Sequence, residues 1–393
     1  MLIIQVKHQP IANLTTKVKG LLIHALKQIT KYQLNSWLCW LLLITIQSTL
    51  VACGPASDGP HVVLYASADE YIVRQVIAQF TEQTGIKVDF LGDTEAQKTT
   101  GLVNRLIAES DNPQADVFWS SEVFMTIKLA EQNILEPHQS PATADWPKRY
   151  KDKQNLWYGF ASRARVIVYA PDRISADDLP KTWMALTQDR FKNRIVMADP
   201  RFGTTGGHLG AMKAYWTRVA GKAYYPAFLE GLAANNVRLL PSGNAGVVKA
   251  VATGEADLGM TDTDDVWAAQ AQGLNVKLIY PRHANGMGDD GTGTLLIPNT
   301  VARIKGGSNS TEATMLIDFL LSEEIERMLA KTTSHNIPVR EKIASEFSQY
   351  QVPDPLKVSY KQAANMREVA VAQAMDWLTR KDKHTQSLEE DAP

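Results

Sequence analysis

The chain has 393 residues, of which 45% are hydrophobic and 21% are charged, and its formal net charge is −1. This ordinary globular composition excludes a mostly disordered chain, a collagen-like chain and a polytopic membrane protein. The length predicts two domains with substantial hydrophobic cores.

The first 52 residues have the composition of a secretory signal. They contain five lysines and no Asp, Glu or Arg, which leaves a formal charge of −6 on the rest of the chain. The uncharged apolar run at 37–46 has about the length of a signal h-region and is too short to span a membrane. The sequence LVAC at 50–53 resembles a bacterial lipobox, in which Cys53 is acylated and anchors the protein to a lipid bilayer.

We therefore predict a lipoprotein signal peptide at 1–52 and a flexible tether at 53–60. The expected location is the bacterial periplasm or cell envelope. A signal anchor, or a plain signal peptide that ends near a cysteine, is the alternative.

From residue 61 onward, short aliphatic runs alternate with amphipathic stretches that have helical spacing. The runs predict strands at 62–65, 86–91, 115–119, 158–169, 194–198, 237–240, 256–260, 276–280 and 294–298. The stretches predict helices at 70–83, 98–109, 122–132, 205–219, 222–234, 245–252, 264–272, 312–321, 323–330 and 361–378. This alternation indicates βαβ units and parallel sheets, so the predicted fold class is α/β.

Two α/β sets flank two long strands, which predicts two lobes. We assign 61–160 plus 290–393 to lobe 1 and 165–285 to lobe 2, so that the chain crosses between them twice. Ligands of open α/β sheets bind beyond the carboxyl ends of the strands, which places the site in the cleft between the lobes.

No catalytic motif is visible. The chain has no Walker A sequence, no G-x-S-x-G elbow and no H-E-x-x-H. Basic residues are not clustered and the exported part is acidic, which argues against nucleic acid as a partner. We therefore expect a protein without enzymatic activity and without a cofactor. A hydrolase or transferase would need a nucleophile–base pair in the cleft.

Five phrases carry a family likeness, at 62–67 (VVLYAS), 80–88 (FTEQTGIKV), 115–119 (ADVFW), 258–265 (LGMTDTDD) and 293–300 (GTLLIPNT). In this order and spacing they resemble the periplasmic substrate-binding proteins of ferric-iron-type ABC importers. The resemblance implies a two-lobed periplasmic-binding-protein fold, type II-like, in which each lobe is a mainly parallel sheet flanked by helices. It also implies a protein, expected to be a monomer, that closes on a small ligand and docks on an ABC permease.

The resemblance implies iron, but this chain departs from the family's usual ligands. Family iron binders commonly use a His after the first strand, a Glu after the third strand and adjacent tyrosines in lobe 2. Here Asp69 and Glu122 stand near the first two positions, and 261–264 (TDTD) replaces the tyrosines. Tyr224 and Tyr225 lie in an amphipathic helix and are expected to pack. Asp69, Glu122 and Asp262 are the predicted metal ligands, with Fe(III) and a bound anion as the implied cargo.

The strand-to-helix turns supply the candidate ligand-binding side chains. Acidic residues at several turns suit a hard cation with oxygen ligands, although each alone is also a favoured helix cap. Small residues at 203–207 would open a helix whose free N–H groups cradle a carboxylate, phosphate or phosphonate. The candidate binding residues are Ser67, Asp69, Glu95, Ser121, Glu122, Arg163, Thr204, Thr205, Asp262 and Asp264.

Two questions stay open at this level. The ligand is a metal ion or a small oxyanion such as a phosphonate, phosphate ester or organic acid. The protein delivers its ligand to a permease, or it acts as a sensory module that presents the ligand to a receptor. Ser67 with Glu70 also matches the capping-box pattern S-x-x-E, which would give Ser67 a purely structural role.

Overall fold

The computed structural model describes residues 59–93, 99–285 and 290–380. The predicted signal peptide, Cys53, most of the tether and Glu95 lie outside these ranges. Within them, no helix combines the length and the apolar character that a membrane crossing requires.

The described residues form ten β-strands and eleven α-helices. The strands are β1 His61–Ala66, β2 Lys87–Gly92, β3 Val117–Ser120, β4 Leu135–Glu136, β5 Tyr158–Tyr169, β6 Ile195–Ala198, β7 Arg238–Leu240, β8 Leu258–Asp262, β9 Lys277–Ile279 and β10 Leu296–Ile304. The helices are α1 Glu70–Thr84, α2 Thr100–Ala108, α3 Phe124–Glu131, α4 Gly203–Val219, α5 Tyr224–Ala234, α6 Gly243–Ala252, α7 Thr263–Ala271, α8 Ser310–Leu320, α9 Glu323–Lys331, α10 Glu341–Glu346 and α11 Tyr360–Thr379. The predicted α/β class is confirmed.

The strands form two parallel sets that β5 and β10 connect. The order is β2-β1-β3-β10-β5-β8-β6-β7, with β4 beside β10 and β9 beside β5. β1 pairs in parallel with β2 and β3, and β6 pairs in parallel with β7 and β8. The first half of β5 is antiparallel to β10, and its second half is antiparallel to β8. β5 is therefore the strand that passes from one parallel set to the other.

All twelve residues of β5 are buried, which explains why it reads as one uninterrupted run. Its pairing with β10 shifts register between Pro298 and Asn299, opposite Ala161. Ala161 has a φ of 47°, the left-handed conformation that an alanine rarely adopts. The irregularity places a bend within the pair of long strands.

Most predicted elements form within two or three residues of their expected ends, and three differences have local causes. β10 continues to Ile304 rather than ending at Pro298, because the bulge accommodates the proline within the sheet. The two-residue strand β4 and the six-residue helix α10 are too short to produce a periodic signal.

The last long helix, α11, packs against helices from both predicted lobes. The Phe124 ring of α3 meets the Tyr360 ring at a centroid distance of 6.1 Å, and the Tyr225 hydroxyl of α5 donates to the Ala370 carbonyl at 2.9 Å. Gly210 brings α4 so close to α11 that a Cβ there would lie 2.4 Å from the Ala363 carbonyl oxygen. The lobe boundaries stay a prediction. The residues of α11 were assigned to lobe 1, but the helix packs on helices of both predicted lobes.

Candidate functional site

A small cavity of about 40 Å³ lies where the strand-to-helix turns of the two parallel sets meet. Its walls come from the turns after β1, β3, β6, β7 and β8, which is the carboxyl edge expected for a ligand site. Of the predicted binding residues, the cavity brings together Asp69, Ser121, Arg163, Thr204, Thr205, Asp262 and Asp264. It also contains three residues that sequence reasoning missed, Asp199, Asn244 and Asp265.

Asp262, at the end of β8, is held by a buried arginine. Arg165 on β5 is fully buried, and its Nη1 lies 2.8 Å from Asp262 Oδ1. The other carboxylate oxygen accepts hydrogen bonds from the Thr204 hydroxyl and from Asn244 Nδ2, the latter at 2.8 Å. A buried ion pair of this kind is maintained by such additional hydrogen bonds, because burial alone would penalise both charges.

The predicted anion cradle is the first turn of α4. This helix begins at Gly203, which has a φ of 57°, and Thr204 and Thr205 follow it. The Thr205 hydroxyl donates to Asn244 Oδ1 at 3.3 Å, which ties this turn to the start of α6. Asn244 follows a strand at the same kind of turn as the other candidates, and this is the signal that could have identified it.

Arg163 links the two sides of the cavity. Its Nε lies 2.9 Å from Asp264 Oδ2, and its Nη1 donates to the Ser121 carbonyl at 2.7 Å. Burial disfavours the charged guanidinium, but the carboxylates of Asp264 and Asp262 outweigh burial and raise its pKa. Arg163 is therefore a permanent cation inside the cavity.

Aspartates converge in the cavity. Asp262, Asp264 and Asp265 can bring one carboxylate oxygen each within 4.8 Å of one another. Five aspartates line the cavity, and Arg163, Arg165 and Arg201 pair with three of them, Asp264, Asp262 and Asp199. A cluster of carboxylate oxygens of this kind suits a hard cation or a cationic group.

Ser67 does not form the predicted capping box. Its hydroxyl lies 2.9 Å from the Thr99 hydroxyl and accepts a hydrogen bond from the Ser121 backbone N–H at 2.9 Å. Glu70 instead accepts from Arg74 Nε at 2.7 Å, one turn further along α1. The capping-box interpretation was wrong, because α1 begins at Glu70 with Asp69 as its N-cap residue, and the Ser67 hydroxyl bonds to Thr99 and Ser121 instead.

Glu122 faces a helix rather than the cavity. It is fully buried, and its carboxylate accepts hydrogen bonds from the backbone N–H groups of Phe124 and Met125 at the start of α3. Burial raises the pKa of Glu122, and Arg367 and the backbone donors counteract this rise. In the structure Glu122 caps the start of α3 and does not line the cavity, and its role as a metal ligand stays a prediction.

The tyrosines behave as expected from the sequence. Tyr225 is fully buried in packing, and burial raises the pKa of its hydroxyl. Among the described residues that line the cavity there is no tyrosine. The predicted binding residue Glu95 and the predicted acylation site Cys53 lie outside the described ranges.

Comparison with known proteins places the chain among transport proteins. Residues 112–365 match the family of bacterial extracellular solute-binding proteins. The chain is 25% identical to iron uptake protein A1 of Synechocystis over 319 residues, which are 75% of this chain and 84% of that protein. It is 28% identical to a putative 2-aminoethylphosphonate-binding periplasmic protein of Salmonella typhimurium, over 78% of this chain and 86% of that one.

Solved crystal structures share the fold of this chain. The crystal structure of iron-bound HitA from Pseudomonas aeruginosa superposes with a TM-score of 0.70 at 23% identity, over 81% of this chain and 99% of that one. The predicted two-lobed periplasmic-binding-protein fold is thereby confirmed. Because the family model matches more than half of its length, the chain belongs to the bacterial extracellular solute-binding proteins.

Proposed function

We propose that the protein is the solute receptor of an ABC import system, that it works in the periplasm, and that it delivers its ligand to a permease without chemical change. Relatives named as iron-uptake and ABC-transporter periplasmic-binding proteins support this role. A protein of this kind needs no nucleophile and no cofactor, in agreement with the absence of catalytic motifs from the sequence.

We further propose that the ligand is a metal cation, with ferric iron the first candidate. The convergence of Asp262, Asp264 and Asp265, which can bring one carboxylate oxygen each within 4.8 Å of one another, carries this proposal. Hard cations prefer oxygen ligands, and Asp69, Asp264 and Asp265 would supply carboxylates. Thr205 and Arg163 line the same cavity and would accommodate an accompanying anion, as the sequence resemblance implies.

The test is metal content and metal affinity. Protein purified without chelators is expected to contain about one equivalent of iron by mass spectrometry and to take up Fe(III) from ferric nitrilotriacetate. Asp264→Asn and Asp265→Asn should each weaken uptake about tenfold or more, because they remove charged ligands. Asp318→Asn is the matched control, since Asp318 pairs with His138 and does not line the cavity.

A small phosphonate or phosphate ester is the second candidate. The observation in its favour is the glycine-led N-terminus of α4 beside the permanently charged Arg163. In that case the protein would be isolated free of metal, and its melting temperature would rise with 2-aminoethylphosphonate and not with Fe(III). Such a result would overturn the metal proposal, and Arg163→Met should then abolish the shift.

The membrane anchor and the delivery partner are separate proposals. We propose that acylation of Cys53 anchors the protein to the membrane, as the lipobox-like sequence suggests. Labelled palmitate should enter the full-length protein and not a Cys53→Ala variant. Permease and ATPase genes beside this gene would favour transport, whereas a receptor-kinase gene there would favour the sensory alternative.

A further inference from the structure

Two buried histidines lie directly behind the candidate site. His208 is fully buried on α4, one turn after Thr204, and His283 follows β9 with 2% of its surface exposed. Their Nε2 atoms are 3.3 Å apart. Neither histidine lines the cavity, and the sequence assigned no role to either.

The groups at both ends of the pair determine which ring nitrogen carries each proton. Arg165 Nε can only donate, and it lies 3.3 Å from His208 Nδ1, which must accept. The Gly293 carbonyl can only accept, and its oxygen lies 2.7 Å from His283 Nδ1, which must donate. A neutral His208 therefore carries its proton on Nε2 and donates it to the bare Nε2 of His283.

Only this pair of tautomers satisfies all three contacts, and both rings are neutral in it. A proton on His208 Nδ1 would face the donor on Arg165, and a proton on His283 Nε2 would face the proton of His208. Both rings are buried, and two tryptophans pack against the pair: the Trp183 ring centroid is 4.5 Å from that of His208, and Trp216 Nε1 donates to the His283 main-chain carbonyl at 2.7 Å. The pair is therefore a fixed array of hydrogen bonds.

Arg165 connects the histidine pair to residues that line the cavity. Its Nη1 lies 2.8 Å from Asp262 Oδ1 and 3.1 Å from Thr204 Oγ1, both of which belong to residues that line the cavity. The guanidinium is planar and rigid, so a contact that holds Nε also orients Nη1. Within the described part of the chain Nη2 of Arg165 has no hydrogen-bond partner. Apart from the bonds of Nη1, the guanidinium is therefore held by the contact between Nε and His208.

We propose that His208 and His283 are positioning residues of the ligand site: as a neutral pair with fixed tautomers they orient Arg165, and through it Asp262 and Thr204. The effect on ligand affinity rests on the proposed function, which places the ligand in this cavity. The tautomers and the orientation of Arg165 do not depend on any ligand.

The first test is nuclear magnetic resonance of the wild-type protein with ¹⁵N-labelled histidine and arginine. Long-range proton–nitrogen correlations should show His208 protonated on Nε2 and His283 protonated on Nδ1. The Arg165 Nε–H should exchange slowly with water. A cationic ring, or the opposite tautomer in either histidine, would overturn the proposal without any variant having to fold.

The second test compares two substitutions of one residue. In His208→Asn the side-chain carbonyl takes the place of Nδ1 and can still accept from Arg165, whereas His208→Leu cannot. The leucine variant should lose the slow Arg165 Nε–H exchange and bind Fe(III) from nitrilotriacetate, or 2-aminoethylphosphonate, about tenfold more weakly. The asparagine variant should retain both properties to within about threefold.

His138→Gln is the control, because His138 pairs with Asp318 at 2.7 Å and does not contact Arg165. Equal losses in the leucine and asparagine variants would contradict the positioning role. If the wild type binds neither probe, the proposed function fails, and the Arg165 exchange rates in the two variants still decide the positioning role by themselves.

Discussion

At the scale of single residues, the sequence identified the strand-to-helix turns that carry candidate residues, and the structure shows what the side chains of those residues contact. Asp262 and Asp264 were predicted as binding residues, and both lie in the cavity, but each is paired with an arginine of β5. Arg163 and Arg165 are two residues apart on one strand, and the aspartate that each of them pairs with lies about a hundred residues further along the chain. The sequence therefore contained both partners of each pair and no information about the pairing.

The buried histidines make stability depend on pH. Burial lowers the pKa of His283 from its ordinary value of 6.5 to about 4, and it also lowers the pKa of His208, with Arg165 acting in the same direction. The unfolded chain therefore binds protons that the folded chain does not, once the pH falls below about 6.5. The contribution of the neutral histidines to the free energy of unfolding is therefore fully present above that pH and is lost as the pH falls toward 4.

We expect His283 alone to contribute a loss of about 2 kcal/mol in the free energy of unfolding between pH 7 and pH 5. His283→Asn can retain the hydrogen bond to the Gly293 carbonyl and does not titrate, so its stability should fall less over the same interval. Urea unfolding at the two pH values measures both. An identical fall in variant and wild type would contradict the buried, neutral state of His283.

At the scale of elements, close helix packing positions the first turn of α4. A Cβ at Gly207 would lie 2.0 Å from Cδ2 of Phe124 on α3, and one at Gly206 would lie 2.3 Å from the Pro200 carbonyl oxygen. These two glycines follow Thr204 and Thr205 directly, so the close contact between α4 and α3 lies beside the turn that carries the threonines. The sequence suggested that the small residues serve an anion, and the structure shows that they also allow this packing.

Gly207→Ala should lower the free energy of unfolding by about 1–3 kcal/mol, because the added methyl group has to displace the Phe124 ring. The same substitution in a Phe124→Leu background should cost less, since leucine leaves room beside the helix. A double-mutant cycle from urea unfolding measures this coupling. Additive effects of the two substitutions would show that the two side chains do not compete for the same space.

At the scale of the whole molecule, the two parallel sets of strands are joined by β5 and β10, and α11 packs on helices of both predicted lobes. The closure that we expect on ligand binding would therefore bend the two long strands, and the register shift opposite Ala161 lies within them. The irregular pairing at this point makes it the natural place for the bend.

Ligand binding should make the protein more compact and more stable. With free ligand at one hundred times the dissociation constant, the free energy of unfolding should rise by about 2.7 kcal/mol. Small-angle X-ray scattering should show a smaller radius of gyration for the bound form. The Asp264→Asn variant serves as the control under equal ligand, and an unchanged scattering curve for a saturated wild type would contradict closure.

The sequence by itself determined the elements and their class, because hydrophobic periodicity is a local property that each segment carries on its own. The long buried strand β5, the strand-to-helix turns and most candidate residues follow from that periodicity. The hydrogen-bond partners of the side chains follow only from the tertiary structure. There Glu122 caps α3, Asn244 donates to Thr204 and Asp262, and Arg165 donates to the first of two paired histidines. Hydrogen bonds and ion pairs between distant segments depend on distances of a few ångströms, which exist only after the strands have been brought together.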